Sequence, residues 1–195
     1  MAETAPRITP LPPDQWTEEA RAVFAYWEGE EGRANGSRLN TMLTFARHPV
    51  LALATLDLGR YFMLQSGLSA RQVKLVVMRV AHRYQATYQW THNVIGARQI
   101  GFSDAEIAAI QVGPADPVWS RADSALLQAV DEVNNGGRIE DATWTELAAL
   151  FDERLIMDLV HAAGYFAMVA WGQVAMGVAL EADVAAVSRN RARDA

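Results

Sequence analysis

The sequence predicts an all-α protein. Apolar residues recur at three- and four-residue spacing through most segments, and no run alternates with strand period. Ser, Asp, Pro and Gly stand where such helices would begin and end. About eight helices joined by short loops follow from this spacing.

The first thirteen residues carry four of the seven prolines and predict an extended arm. Helix is expected from Asp14, a capping residue, through Val23, Phe24 and Trp27. Glu28 to Arg38 holds three glycines and an Asn, which predicts a loop. Leu39 to Ala46 reads as a short helix ending before His48-Pro49, because a residue before proline avoids helical angles. Pro49 suits the first turn of the next helix, which runs to about Gln65. Ser69 caps a helix from Ala70 to Arg83, Gln85 to Thr87 bends the path, and Tyr88 to Ile100 resumes it. Gly101 is a stop signal, and Ser103-Asp-Ala-Glu106 is a capping box for a helix to Val112. After a turn at Gly113 to Pro117, helix is expected over Ser120 to Val133, then over Asp141 to Phe151 with an Asp or Thr cap. A last helix spans Glu153 to Val184.

A chain of 195 residues suits one domain with an extension, and it is long enough to bury a core without staples. The divisions expected are an arm, helix and loop over 1–38, a helical domain over 39–184, and a frayed tail over 185–195. The net charge is −6, and basic residues cluster only in the tail at Arg189, Arg191 and Arg193, so nucleic acid is not an expected partner. The absence of cysteine excludes disulfides, thiolate nucleophiles and Cys-ligated metals, and is compatible with a reducing cytoplasm. No apolar signal region is expected at the N-terminus. The apolar stretch Leu159 to Leu180 is broken by His161, Gly164, Gly172, Gln173 and Gly177. It reads as a buried helix or an oligomer interface rather than a membrane span.

Between Leu68 and Ile110 the chain packs Lys74, His82, Tyr88, Gln89, Trp90, His92 and Asn93 into two otherwise apolar helices. A metal site is not expected there. No His-x-x-x-His pair occurs, and no Asp or Glu falls between Lys74 and Gln99. His92 shares a helical face with Tyr88 four residues earlier, and it is a candidate general acid or base because imidazole titrates near neutrality. A core histidine packed on its aromatic neighbour is the competing reading. Lys74 shares a face with Met78 and His82. A lysine on a half-buried helix ordinarily snorkels to solvent, whereas a functional one would face a cavity and hold a carboxylate or stabilise an enolate. Trp90 reads as core or pocket wall, and His82 could reach the same cavity from the other side of the bend. No phosphate loop, dinucleotide fingerprint or nucleophile elbow occurs.

At Arg79-Val-Ala81, Tyr88-Gln-Trp90, Ala97 and Gly101-Phe-Ser-Asp-Ala-Glu-Ile107 the chain resembles the carboxymuconolactone decarboxylase family, which shares its fold with alkyl hydroperoxidase D. The family pattern reads roughly Leu-Arg-x-Ala, Tyr-Glu-Trp-x-x-His and Ala-Gly-Leu-Ser-x-x-Glu-Ile. Leu126 to Glu132, Ile139 to Trp144 and Leu155 to Val160 resemble the C-terminal half of longer members, so the likeness covers residues 40–182. In the peroxidase branch a Cys-x-x-Cys pair, an earlier Glu and a later His do the redox work. By the resemblance these positions fall on Ala86, Gln89, Lys74 and Asn93, so all four are replaced. Thiol peroxidase chemistry is excluded, because no thiolate exists to attack a peroxide. The lactone decarboxylase branch keeps a His where Asn93 stands, and His92 is one residue earlier, about a quarter-turn around the helix.

The resemblance implies a helical protomer assembled as a homotrimer or homohexamer. It also implies a cofactor-free lyase or isomerase acting by proton transfer on a small anionic, oxygenated or cyclic compound. In that reading His92 or Asn93 handles the proton or the developing enolate, and Lys74 holds a carboxylate. Tyr88, Trp90, Gln89 and His82 contact the substrate. A non-catalytic small-molecule-binding or assembly protein with a degenerate site is the alternative.

Overall fold

The computed structural model describes residues 5–191. Among them ten α-helices follow one 3-10 turn, Pro13–Gln15, and no strand occurs. The helices are α1 (Glu18–Asn35), α2 (Asn40–Phe45), α3 (Pro49–Leu64), α4 (Ala70–Arg83), α5 (Thr87–Gln99), α6 (Asp104–Val112), α7 (Arg121–Gly136), α8 (Asp141–Leu150), α9 (Glu153–Met176) and α10 (Ala182–Arg191).

The helix signals act as the sequence predicts at most boundaries. Ser69 and Gln72 close a reciprocal capping box on α4, and Ser103 and Glu106 close another on α6. Ser120 caps α7 through the Asp123 amide, while the helix runs past its expected end at Val133 to Gly136, where Gly137, at φ 72°, stops it in the left-handed region.

Four expectations are corrected. Helix begins at Glu18 rather than Asp14, because Thr17 supplies the cap to the Ala20 amide while Asp14 lies in the 3-10 turn. The loop expected over Glu28 to Arg38 is confined to residues 36–38, because α1 continues to Asn35 across a kink at Gly29, where φ is 64° and ψ is −153°. Neither an Asp nor a Thr side chain caps α8, whose N-cap is Glu140 without a side-chain hydrogen bond. The last helix is two, broken by Gly177 at φ 68°. Residues 185–191, expected as frayed, belong to α10, and the rest of the expected tail, with Arg193, lies outside the described residues, as do residues 1–4 of the arm.

The chain forms two compact units, divided within α3 and α9: Met1–Leu58 with Gln173–Ala195, and Gly59–Gly172. The first has its own core of Val23, Phe24, Met42, Leu56 and smaller neighbours. In it the Arg7 and Ile8 amides donate to the Met176 carbonyl, and Gln173 Nε2 donates to Thr41 Oγ1.

The second unit is built around α4, whose Leu75, Val76, Met78 and Val80 are fully buried. Burying each such side chain contributes about 1.5–3 kcal/mol. Arg79 leaves this apolar helix with a partner for each of its nitrogens: Nε and Nη2 each donate to Asp131 at 2.7 Å, and Nη1 donates to the Ile110 carbonyl at 2.7 Å. This clamp ties α4 to α7 and to the end of α6. From α9, Ile156, Leu159, Ala162, Ala163, Phe166, Ala167 and Ala170 pack on the same core, while Met157, Met168 and Trp171 are exposed. By length and composition α9 could cross a membrane.

Candidate active site on helices 4 and 5

The two helices that carry the candidate residues lie in the second unit and are joined by a tight bend. Gln85 adopts φ 52°, a left-handed angle that a side chain rarely takes, and Ala86 opens α5 without a side-chain cap. Lys74 stands in the second turn of α4, and Gln89, Asn93 and Gly96 share one face of α5 at spacings of four and three.

Three of the expected residues meet. Lys74 Nζ donates to Asn93 Oδ1 at 2.7 Å, and Asn93 Nδ2 donates to the Gln89 carbonyl at 2.8 Å. The second bond fixes the amide, so its oxygen faces the amine. Lys74 is therefore held against α5 and is only partly exposed. Burial pushes its amine below the ordinary lysine value of 10.5. Among the described residues no carboxylate forms a salt bridge with it. Gln89 is buried; its Nε2 donates to the Phe166 carbonyl at 3.3 Å, and its Oε1 is buried with no hydrogen-bond partner among the described residues.

The aromatic and imidazole candidates form two other pairs. His92 packs on Tyr88 with ring centroids 4.5 Å apart, and His82 packs on Trp90 at 6.0 Å. His82 is exposed near the end of α4. Desolvation first, then Arg79 and Arg83, lower its pKa against the pull of Asp131. Each histidine thus sits against its own aromatic. No cluster of three or more metal-ligating side chains occurs among the described residues.

One position beside these residues escaped the sequence reading. A Cβ added at Gly96 would lie 2.9 Å from Lys74 Nζ, so this glycine gives the amine its room. A glycine inside a helix costs about 1 kcal/mol relative to Ala, and that cost was the available signal.

Two open clefts lie elsewhere. One of about 390 Å³ in the second unit is lined by Arg121, Gln128, Thr143 and Glu146 among others. Another of about 540 Å³ in the first unit is lined by Glu28, Glu31 and Arg38 among others. Their cations are solvated and paired, Arg121 with Glu146 and Arg38 with Glu31, unlike Lys74.

The helical arrangement has solved counterparts. An uncharacterized peroxidase-related protein from a Silicibacter species superposes with a TM-score of 0.75 at 19% identity, over 94% of this chain and 96% of that one. The alkylhydroperoxidase AhpD core of a peroxidase-related protein from Ralstonia eutropha gives 0.75 at 16% identity, over 91% and 94%. This chain has the alkyl hydroperoxidase D-like fold. An alanine-for-cysteine variant of the debrominase Bmp8, in complex with 2,3,4-tribromopyrrole, also shares it, with a TM-score of 0.74 at 18% identity over 97% and 98%. No family model and no curated protein matches the sequence. The fold agrees with the resemblance read from the motifs between Arg79 and Ile107, on a chain that holds no cysteine.

Proposed function

We propose that the chain is a cofactor-free enzyme of the carboxymuconolactone decarboxylase-like type, a lyase or isomerase for a small anionic oxygenated or cyclic compound. The observation that carries this reading is Lys74, a half-buried amine bonded to a neutral amide and to no carboxylate among the described residues. A desolvated positive charge without a counter-ion attracts an anion. Lys74 holds the anionic oxygen of the substrate. Asn93, the neighbour of Lys74, hydrogen-bonds the enolate oxygen as charge develops there, and His92 moves the proton. Tyr88, Trp90 and His82 shape the pocket, and the unpartnered Gln89 Oε1 accepts a hydrogen from the substrate. The tribromopyrrole ligand of a fold neighbour supports a small cyclic compound as within the reach of this fold. The chemistry belongs to residues 39–184, in a homotrimer or homohexamer formed in the cytoplasm. Exposed Met157, Met168 and Trp171 on α9 support such an assembly.

The test is a panel of small lactones and keto acids screened by thermal shift and by turnover. A ligand should raise the melting temperature of the wild type and not of Lys74→Ala, and His92→Ala should lose turnover while keeping binding. Equal shifts in wild type and Lys74→Ala would remove Lys74 from the site. The alternative is a non-catalytic binding protein. It is favoured by the way the Lys74 amine and the Asn93 amide satisfy one another where the resemblance expects reactive side chains, and it predicts a Lys74-dependent shift with no turnover.

A further inference from the structure

Lys74 is the only lysine in the chain; the other sixteen of its 17 basic residues are arginines. The ion pairs seen among the described residues use guanidinium groups, among them Arg33 with Glu18, Arg71 with Glu106, Arg98 with Asp104 and Arg121 with Glu146. A guanidinium holds its proton at every physiological pH, whereas an amine can release one and expose a lone pair. The single lysine stands on α4 facing Asn93 of α5.

Arg79 gives the internal comparison. It lies on the same helix, is more buried than Lys74, and has both oxygens of Asp131 plus a backbone carbonyl. The fold therefore supplies a counter-ion to a buried cation when the charge is to persist. For Lys74 it supplies Asn93 Oδ1, which positions the nitrogen without supplying a negative charge. The amide cannot turn away, because its Nδ2 is bonded to the Gln89 carbonyl. The nitrogen itself occupies the room that a side chain at Gly96 would need, 2.9 Å from where a Cβ would stand.

We propose that Lys74 is a nucleophilic amine that forms an imine with the carbonyl carbon of a small ketone, aldehyde or β-keto acid. This rests on the Lys74 site being the functional site and replaces an ionic contact there by a bond. The neutral nitrogen adds to the carbonyl carbon; the C=O π pair moves to oxygen, which takes a proton. Loss of water gives the iminium, with Lys74 Nζ joined to carbon. From a β-keto acid, the bond to the carboxylate then breaks and carbon dioxide leaves. Its electron pair moves toward nitrogen, giving the enamine. Protonation at carbon and addition of water release the ketone and return the amine. Water and protons are the only co-reactants, so the cycle needs no oxidant or reductant. Burial also raises the neutral fraction of the amine.

The test uses the full chain with acetoacetate and sodium cyanoborohydride at neutral pH, followed by peptide mass mapping. A reduced adduct should appear on the peptide holding Lys74, at least about tenfold faster than on Nα-acetyl-lysine under the same conditions. Lys74→Arg, which keeps the charge, should abolish it. Labelling of the terminal amine alone, or of Lys74 no faster than free lysine, would overturn the proposal. If no adduct forms while Lys74→Ala still removes the ligand-dependent thermal shift, the covalent role fails and the anion-binding site stands. An adduct without any such shift is the reverse result: the covalent role stands and the ionic one fails.

Discussion

Gly96→Ala separates the amine's environment from the integrity of the helix. The new Cβ would sit 2.9 Å from Lys74 Nζ and 3.3 Å from its Cε. Non-bonded heavy atoms settle at roughly 3.5–4.0 Å, so the amine must retreat by at least about 0.6 Å. Along the bond to Asn93 this stretches 2.7 Å to about 3.3 Å, outside the range of a charge-assisted hydrogen bond. Losing such a bond costs about 1.5–3 kcal/mol when the donor is buried. Lys74 is half-exposed, so water restores part of it, and Ala in a helix interior returns about 1 kcal/mol over Gly. The net is a loss of about 1 kcal/mol, or roughly 2–4 °C in melting temperature for a chain of this size. The amine, moved toward water, regains basicity, and its reaction with a carbonyl probe at neutral pH should slow by about tenfold for each pKa unit regained. Differential scanning calorimetry and timed reductive labelling read the two quantities on one sample. An unchanged labelling rate would refute the reasoning. So would a fall in melting temperature beyond about 10 °C, which would place backbone packing, not the amine, at Gly96.

Lys74→Met should change the pH dependence of stability in a definite direction. The folded pKa lies below 10.5, so between the two values the unfolded chain holds a proton that the folded chain has released. The contribution of Lys74 to stability therefore rises as pH climbs from its folded value to 10.5 and is lost as pH falls through the folded value. Urea midpoints of wild type minus Lys74→Met should show that rise, and a flat difference would contradict it. Asp131→Ala strands Arg79, 9% exposed at its side chain, and should cost about 3–5 kcal/mol by urea unfolding; a loss under about 1 kcal/mol would mean the clamp is replaceable. Gln85→Gly relieves a left-handed φ of 52° and should be neutral or stabilising by up to about 1 kcal/mol, measured the same way.

The helix boundaries were legible where one residue acts through its own backbone. Ser69 with Gln72, Ser103 with Glu106, and Pro49 need no tertiary partner to do their work. The region around α1 was not, because two of its glycines answer to packing. A Cβ at Gly36 would meet the Trp16 ring at 2.0 Å, and one at Gly32 would meet the Phe24 carbonyl at 2.7 Å. Their density therefore reads as a loop in one dimension and as close contact in three. The break at Gly177 was missed because apolar residues resume directly after it, through Leu180. At the site, the family positions placed Lys74 and Asn93 in one neighbourhood. The 2.7 Å bond between them and the space kept by Gly96 depend on how α4 packs on α5. The uniqueness of Lys74 was legible throughout, since it needs only a count of amines against guanidinium groups.

Because the chain has one lysine, protein labelled with ¹³Cε-lysine gives a single side-chain NMR signal, and its pH titration reads Lys74 alone. That signal should titrate below 10.5 and should move to an imine or enamine position when acetoacetate is added. A titration at or above 10.5, with no response to acetoacetate, would contradict an amine poised for reaction.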